Sequence, residues 1–502
     1  MTRLLSLSLS AILVAACTTV VADGSSGGGS GTSGGTSAAP VDPVSTAKLA
    51  EGLTLTDVAI FQAVKVPVVT AGERVADSSS PIVAGRPGVL RAYVTPSEGW
   101  EAKSVVAYLT LVNAAGKVSK EVKKTVSVAS SDDKSGTAFD FVLKGEEVTA
   151  DLKYSITLAV DGEITTDAAP AESESRYPRN GSQEDLGAAK LADELKIVLV
   201  PVQYGADGSG RLPDTSEEQI ETYRQTLLSL YPVAKVDIQV RAPYKWNSTI
   251  AGNGQGWDDV LNALVRLRAA DKVADDVYYY GAFAPKSSFE SFCSRGCVTG
   301  LSGLADDASD ARIRASVGVG FPGVSTANTA AHEIGHAHGR DHAPCGGAQG
   351  TDPKYPYPQA KIGVWGYNII TNSFVNPAGA QTPHDMMSYC DPAWISDYQY
   401  GKLFDRVIAV NSLRGTQSMN ASARLGFRLA SIDGEGNIKM GEHIDLPAGT
   451  QGAQRKVTYR QANGTLVSDS ARFFRYDHLP GGMLFIPEHE GASVVSVEGT
   501  RL

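Results

Sequence analysis

Among its 502 residues the chain lacks several common signatures, and each absence removes a class of protein. Past the first twenty residues no run reaches the ~18 apolar residues that a membrane-spanning helix requires, so the body is not expected to be an integral membrane protein. There is no surplus of positive charge: 45 basic side chains face 55 acidic ones, a formal −10. Such a balance, without a basic stripe interleaved with aromatics, repels phosphate backbones and argues against a nucleic-acid binder. No self-similar period marks a repeat array. Cysteine is scarce at five, and aromatic residues make up 7%. The length allows two to four domains at ~100–200 residues each.

The beginning of the chain reads as an address. Arg3 precedes an apolar stretch, Leu4 to Val14, followed by Ala15, Ala16 and Cys17. Val14-Ala15-Ala16-Cys17 resembles the bacterial lipobox, in which the cysteine is acylated, so 1–16 is expected to be a lipoprotein signal peptide and Cys17 the lipidation site. The implied location is the bacterial cell envelope, exported and held by a lipid on the outer membrane or cell surface. Residues 17–48, rich in Gly, Ser, Thr and Ala, bring too little apolar surface to fold and form a tether. The remaining cysteines, Cys293, Cys297, Cys345 and Cys390, are an even number suited to an oxidising compartment, with three pairings open to them.

Three further regions follow. Residues 49–185 alternate short β-type runs (Pro81 to Val94, Ser104 to Val112, Ala138 to Leu143, Tyr154 to Val160) with turn signals such as Asn113-Ala114-Ala115-Gly116, which predicts a β-sandwich. A polar stretch, Ala168 to Gln183, is expected to link it to the next domain. Residues 186–412 alternate strand and helix. Leu195 to Val200 reads as a buried strand, Thr215 with Glu218 as a capping box ahead of a helix, and Trp257 with Val260, Leu261 and Leu264 as a second amphipathic helix. Val277 to Phe283 is a strand, and the alternation of Ile313, Ala315, Val317 and Val319 predicts an edge strand. Residues 413–502 return to β-type runs and predict a small C-terminal β-domain.

Four of the eight histidines fall in His332-Glu333-Ile334-Gly335-His336-Ala337-His338-Gly339-Arg340-Asp341-His342. On a helix, His332 and His336 stand one turn apart on one face, with Glu333 beside them. Gly339 permits the left-handed residue that ends a helix and lets the chain bring His342 back. Three neutral imidazoles suit Zn2+ and leave a fourth position for water. His338 points away from that face. His384, His443, His478 and His489 are expected in ordinary surface or hydrogen-bonded roles, and Asp341 either orients an imidazole or is a solvated loop carboxylate.

This spacing matches the extended metzincin zinc-peptidase signature at all five specified positions, and Asp385-Met386-Met387-Ser388-Tyr389 resembles that family's Met-turn. The resemblance covers about Leu195 to Val410. It implies an α+β catalytic domain, a twisted mixed sheet with helices, an active-site helix and a Met-turn, flanked here by the two β-domains. It also implies a metalloendopeptidase. His332, His336 and His342 would hold zinc, Glu333 would be the general base, Met387 the turn methionine and Tyr389 a stabiliser of the oxyanion. Substrate would lie extended along Ile313 to Val319. The pairing Cys345 with Cys390 would clamp the third ligand to the Met-turn, leaving Cys293 with Cys297. The combination with β-domains is loosely similar to bacterial enzymes that cut mucin-type glycoproteins, so the expected partner is a protein or glycoprotein substrate met by a monomer. The competing reading is an adhesive or binding lipoprotein with a non-catalytic zinc domain. The peptidase reading requires that no fourth side chain permanently fill the open position.

Overall fold

The computed structural model describes residues 43–501 apart from 79, 169, 190–193, 380, 414–423 and 448–450. The signal segment, Cys17 and the tether as far as residue 42 lie outside the described residues.

Two antiparallel sheets come first. One orders Ala47–Leu49, Lys153–Ile164, Lys103–Asn113 and Gly116–Val126; the other orders Glu73–Arg74, Lys65–Thr70, Leu53–Phe61, Gly88–Pro96 and Phe139–Leu143. Val105, Ala107, Leu109, Ile156 and Leu158 of the first share a buried cluster with Val58, Ile60, Leu90 and Ala92 of the second, as alternation on a strand demands when one face is covered. The Asn113 to Gly116 turn closes a hairpin, with the Ala115 N–H donating to Asn113 Oδ1 at 2.9 Å. Two sequence expectations change here. Ala168 to Gln183 is not a free linker, because Arg176–Tyr177 folds back to pair with Thr157 and Ile156. The tether ends earlier than residue 48, because Ala47–Leu49 already pairs with Lys153–Ile164.

The central sheet has the order Lys235–Val240, Glu194–Tyr204, Val277–Phe283, Ala315–Val319, Gly300–Ser302. Its strands run parallel except the last, Gly300–Ser302. Helices Glu217–Leu230 and Val324–Ala337 bury Ile220, Tyr223, Leu227, Ala327, Ala331 and Ile334 with Leu195, Ile197, Tyr278 and Tyr280 of the sheet. Helix Trp257–Asp271 buries Val260, Leu261 and Leu264 in a second cluster with Val202, Tyr279 and Val317. The first of these helices is capped by Ser216, whose side chain accepts from the Gln219 N–H, one residue later than the box expected at Thr215. A last helix, Asp397–Ser412, adds Tyr400, Leu403 and Phe404 to the first cluster.

Ala315–Val319 is an interior strand, not the edge. It is buried at every position and hydrogen-bonded on both sides. The edge is Gly300–Ser302.

From Arg424 onward the chain forms a seven-stranded antiparallel sheet, in the order Ile438–Pro447, Arg424–Asp433, Gly481–Pro487, Leu466–Arg475, Ala453–Gln461, Ala492–Val497, Thr500–Arg501. Phe427, Leu429, Phe474, Tyr476, Met483 and Phe485 join the cluster around helix Trp257–Asp271. Leu484, Ile486, Val457, Tyr459 and Val497 form a separate one.

The first sheets are tied to the central body by a fully buried arginine. The Arg86 guanidinium donates to the carbonyls of Gln62 (2.6 Å), Tyr231 (2.8 Å), Val233 (2.9 Å) and Ser229 (3.2 Å). Charge-assisted bonds to carbonyl groups satisfy a cation that burial would otherwise penalise heavily.

Candidate metal centre

Helix Val324–Ala337 carries His332, Glu333 and His336, all buried. It stops at Gly339 (φ +76°), whose N–H donates to His336 O at 2.7 Å while the Arg340 N–H donates to Gly335 O at 3.1 Å. A Cβ at Gly339 would also stand 2.4 Å from Ala305 O, so backbone conformation and space both call for glycine. The chain then returns, and the Ala343 N–H donates to Met387 O at 2.8 Å. Asp385 shapes the facing turn: its Oδ1 accepts from the Met387 N–H and its Oδ2 from the Ser396 N–H, both at 2.9 Å.

Three histidines converge. His336 Nε2 lies 3.0 Å from His332 Nε2 and 3.1 Å from His342 Nε2. Each ring is held at its other nitrogen by a carbonyl: His332 Nδ1 by Met386 O (2.7 Å), His336 Nδ1 by Arg340 O (2.6 Å) and His342 Nδ1 by Gln349 O (2.5 Å). A carbonyl only accepts, so every Nδ1 carries the hydrogen and every Nε2 of a neutral ring presents a bare lone pair. Burial holds the rings neutral, lowering His332 to about 3, His342 to about 4 and His336 well below its ordinary 6.5. Three inward lone pairs with no hydrogen to share repel one another unless a cation lies among them. Tetrahedral zinc with about 2.0–2.1 Å bonds places its nitrogens about 3.3–3.4 Å apart, close to the spacing of these rings. The donor set therefore fits a metal ion, and the carbonyls supply the outer contacts that orient such ligands.

Glu333 is 1% exposed and packs on the sheet edge, where a Cβ added to Gly300 would stand 2.1 Å from Glu333 Oε1. Met387 is fully buried, and a Cβ on Gly335 would stand 2.5 Å from its sulfur. That contact places the Met387 side chain against the ligand helix. Tyr389 is 43% exposed, with its ring 4.9 Å from that of His342. Partial burial, with Glu333 and Asp477 nearby, raises its phenol. Both expected disulfides are present, Cys293–Cys297 and Cys345–Cys390. His338 points away, stacked on Tyr278 with ring centroids 4.1 Å apart. Asp341 does not orient His342; it pairs with Arg475.

His478 does not have the ordinary role expected from the sequence. It comes from the turn between Leu466–Arg475 and Gly481–Pro487, and its Nε2 stands 3.3 Å from His342 Nε2. The ligating nitrogens of His332, His336, His342 and His478 all lie within 4.8 Å of one another. Its Nδ1 lies 2.9 Å from Asp477 Oδ2, and its ring stacks on Tyr389 at 5.4 Å. Sequence reasoning missed it because 136 residues separate it from His342. The available signal was an Asp-His pair set between two apolar β runs.

Comparison with known families falls on this part of the chain. The Peptidase M66 family model matches residues 314–423. The matched stretch holds the three clustered histidines, Glu333, Met387 and Tyr389; His478 lies beyond it. The match supports a proteolytic function, and the histidine cluster is one that could bind a metal. No curated protein matches the chain.

Proposed function

We propose that this chain is a zinc endopeptidase of the metzincin type, with His332, His336 and His342 as ligands. The observation that carries the reading is the convergence of three carbonyl-anchored imidazoles beside a glutamate packed on a sheet edge. A zinc ion there would supply Lewis acidity, polarising a peptide carbonyl and bringing the pKa of water down towards ~7. The chain's own groups do the rest. The Glu333 carboxylate takes the proton of the attacking water and delivers it to the leaving nitrogen. Tyr389, partly exposed beside the ligands, donates its phenol hydrogen bond to the developing oxyanion. Gly300–Ser302 offers main-chain groups to an extended substrate, which is the edge role first expected of Ile313 to Val319.

We further propose that the protein is exported, acylated at Cys17 and held on the bacterial envelope, where as a monomer it meets extracellular protein or glycoprotein substrates. The lipobox-like sequence and the two disulfides support this setting.

His478 favours a second reading, a binding lipoprotein whose zinc site is purely structural, because such sites are usually closed by four protein ligands. Replacing Glu333 tests the first reading. Glu333→Gln should lower hydrolysis of an unfolded protein substrate by roughly 10²–10⁴-fold, the usual contribution of a positioned acid–base group, with zinc content unchanged. Equal rates in the two proteins would remove Glu333 from the chemistry. Absence of hydrolysis in the wild type and in a variant with His478 removed would favour the structural site.

A further inference from the structure

The segment Arg475 to His478 occupies two positions that a peptide substrate would need. The first is the sheet edge. Tyr476 bridges antiparallel to Gly303, the Leu304 N–H donates to Arg475 O at 3.1 Å and the Asp477 N–H to Ser302 O at 3.3 Å. The Ser302 N–H in turn donates to Asp477 Oδ1 at 3.0 Å. The two backbone bonds are those by which an added strand extends a sheet, and they continue the same edge whose Gly300 lies against Glu333.

The second position is the metal centre. Tetrahedral zinc requires about 3.3–3.4 Å between ligand nitrogens, and His478 Nε2 is 3.3 Å from His342 Nε2. Its Nδ1 faces the Asp477 carboxylate at 2.9 Å, as an ion-pair contact where the other three rings have hydrogen bonds to carbonyls. Asp477 is itself buried, with its Oδ2 3.5 Å from His336 Nε2. Arg475 pairs with Asp341, the neighbour of His342. Four residues thus span the sheet edge, the fourth coordination position and the rim.

We propose that Arg475 to His478 is an internal inhibitor of the site, with His478 as a displaceable fourth metal ligand and Arg475 to Asp477 lying where the substrate strand would pair. The inference rests on the peptidase reading. It assigns the C-terminal sheet a role in controlling access, since the turn between two of its strands supplies the block. Its natural competitor is an extended peptide pairing antiparallel with Gly300 to Leu304, whose scissile carbonyl would take the place of the His478 ring.

Cobalt-substituted full-length protein provides the test, with acetohydroxamate as the probe for an open coordination place. X-ray absorption on the wild type should show four histidine nitrogens, and the visible spectrum should not respond to acetohydroxamate. His478→Ala should show three histidine nitrogens and one oxygen, respond to the probe, and hydrolyse an unfolded protein substrate at least ten-fold faster than wild type. Three histidine nitrogens and a water oxygen in the wild type would overturn the proposal, and this measurement stands even if the variant fails to fold. Unchanged coordination in His478→Ala would overturn it as well. A variant that opens to acetohydroxamate but cleaves nothing would uphold the displaceable ligand and refute the peptidase reading. A wild type that hydrolyses at full rate with a water oxygen on cobalt would do the reverse.

Discussion

Gly335 and Met387 meet with no room between them: a single added carbon on the glycine would lie 2.5 Å from the methionine sulfur. The helix that carries His332 and His336 can therefore settle on the Asp385 to Ser388 turn only because position 335 is bare. Gly335→Ala improves helix propensity by about 1 kcal/mol, yet forcing a methyl into a packed interior typically costs about 1–3 kcal/mol. The net expectation is a lower melting temperature together with weaker zinc retention against a chelator. A variant more stable than the parent would show that the contact relaxes freely.

Gly300 makes a similar demand on Glu333. Gly300→Ala should push the carboxyl group off the edge strand, and a misplacement of about 1 Å in a reacting group can cost about 10²-fold in rate. Because no histidine is touched, zinc content should be preserved. Measuring metal by absorption spectrometry alongside hydrolysis separates this from general unfolding; loss of metal in parallel with activity would contradict it.

The metal-free protein should lose stability in acid. Burial holds His332 and His338 at about 3 and His342 at about 4, against 6.5 for a free imidazole. Below pH 6.5 the unfolded chain takes up protons that the folded chain refuses. Stability is thus fully present above 6.5 and falls as the pH drops towards 3–4. The slope is about 1.4 kcal/mol per pH unit for each ring that stays neutral. Denaturant midpoints between pH 7 and 5 should fall accordingly, and His338→Gln should flatten the slope by one ring's share. A level profile would sink the assignment of three neutral buried imidazoles.

The bridge Cys345–Cys390 closes a separation of 45 residues, worth about 4 kcal/mol in the chain-entropy model. It also fastens the segment after His342 to the one after Tyr389. The double replacement Cys345→Ser with Cys390→Ser should lower the unfolding midpoint and speed zinc loss to a chelator, whereas Cys293→Ser with Cys297→Ser, a separation of 4 residues, should do much less. Equal effects would mean that the longer bridge does not brace the centre.

Local chemistry makes part of this arrangement legible in the sequence. His332, His336 and His342 lie within one helix and its return, so a 3.6-residue period and one glycine suffice to bring them together. The same holds for Met387 and Tyr389 on a tight turn. The edge strand was misplaced for a physical reason. Ala315–Val319 alternates small and large residues because one face has little room: a Cβ at Gly318 would stand 2.1 Å from the hydroxyl of Tyr280 on the neighbouring strand and 3.2 Å from Thr329 of helix Val324–Ala337, and the Ser316 hydroxyl donates to Glu333 O at 3.0 Å. Small against large imitates polar against apolar. The true edge, Gly300–Ser302, is too short to show any period. His478 was beyond reach because its place depends on how the C-terminal sheet docks against helix Trp257–Asp271, a long-range packing that no local pattern encodes.

The guanidinium of Arg86, sunk among carbonyls from both sides of an apparent domain boundary, means that the motif-bearing stretch shares one of its two interiors with the first sheets. A laboratory fragment begun at Leu195 would strip the cover from Tyr231 and Val233, leave their oxygens facing solvent beside raw hydrocarbon, and be recovered as an aggregate. Biochemistry on this molecule must begin with the long form.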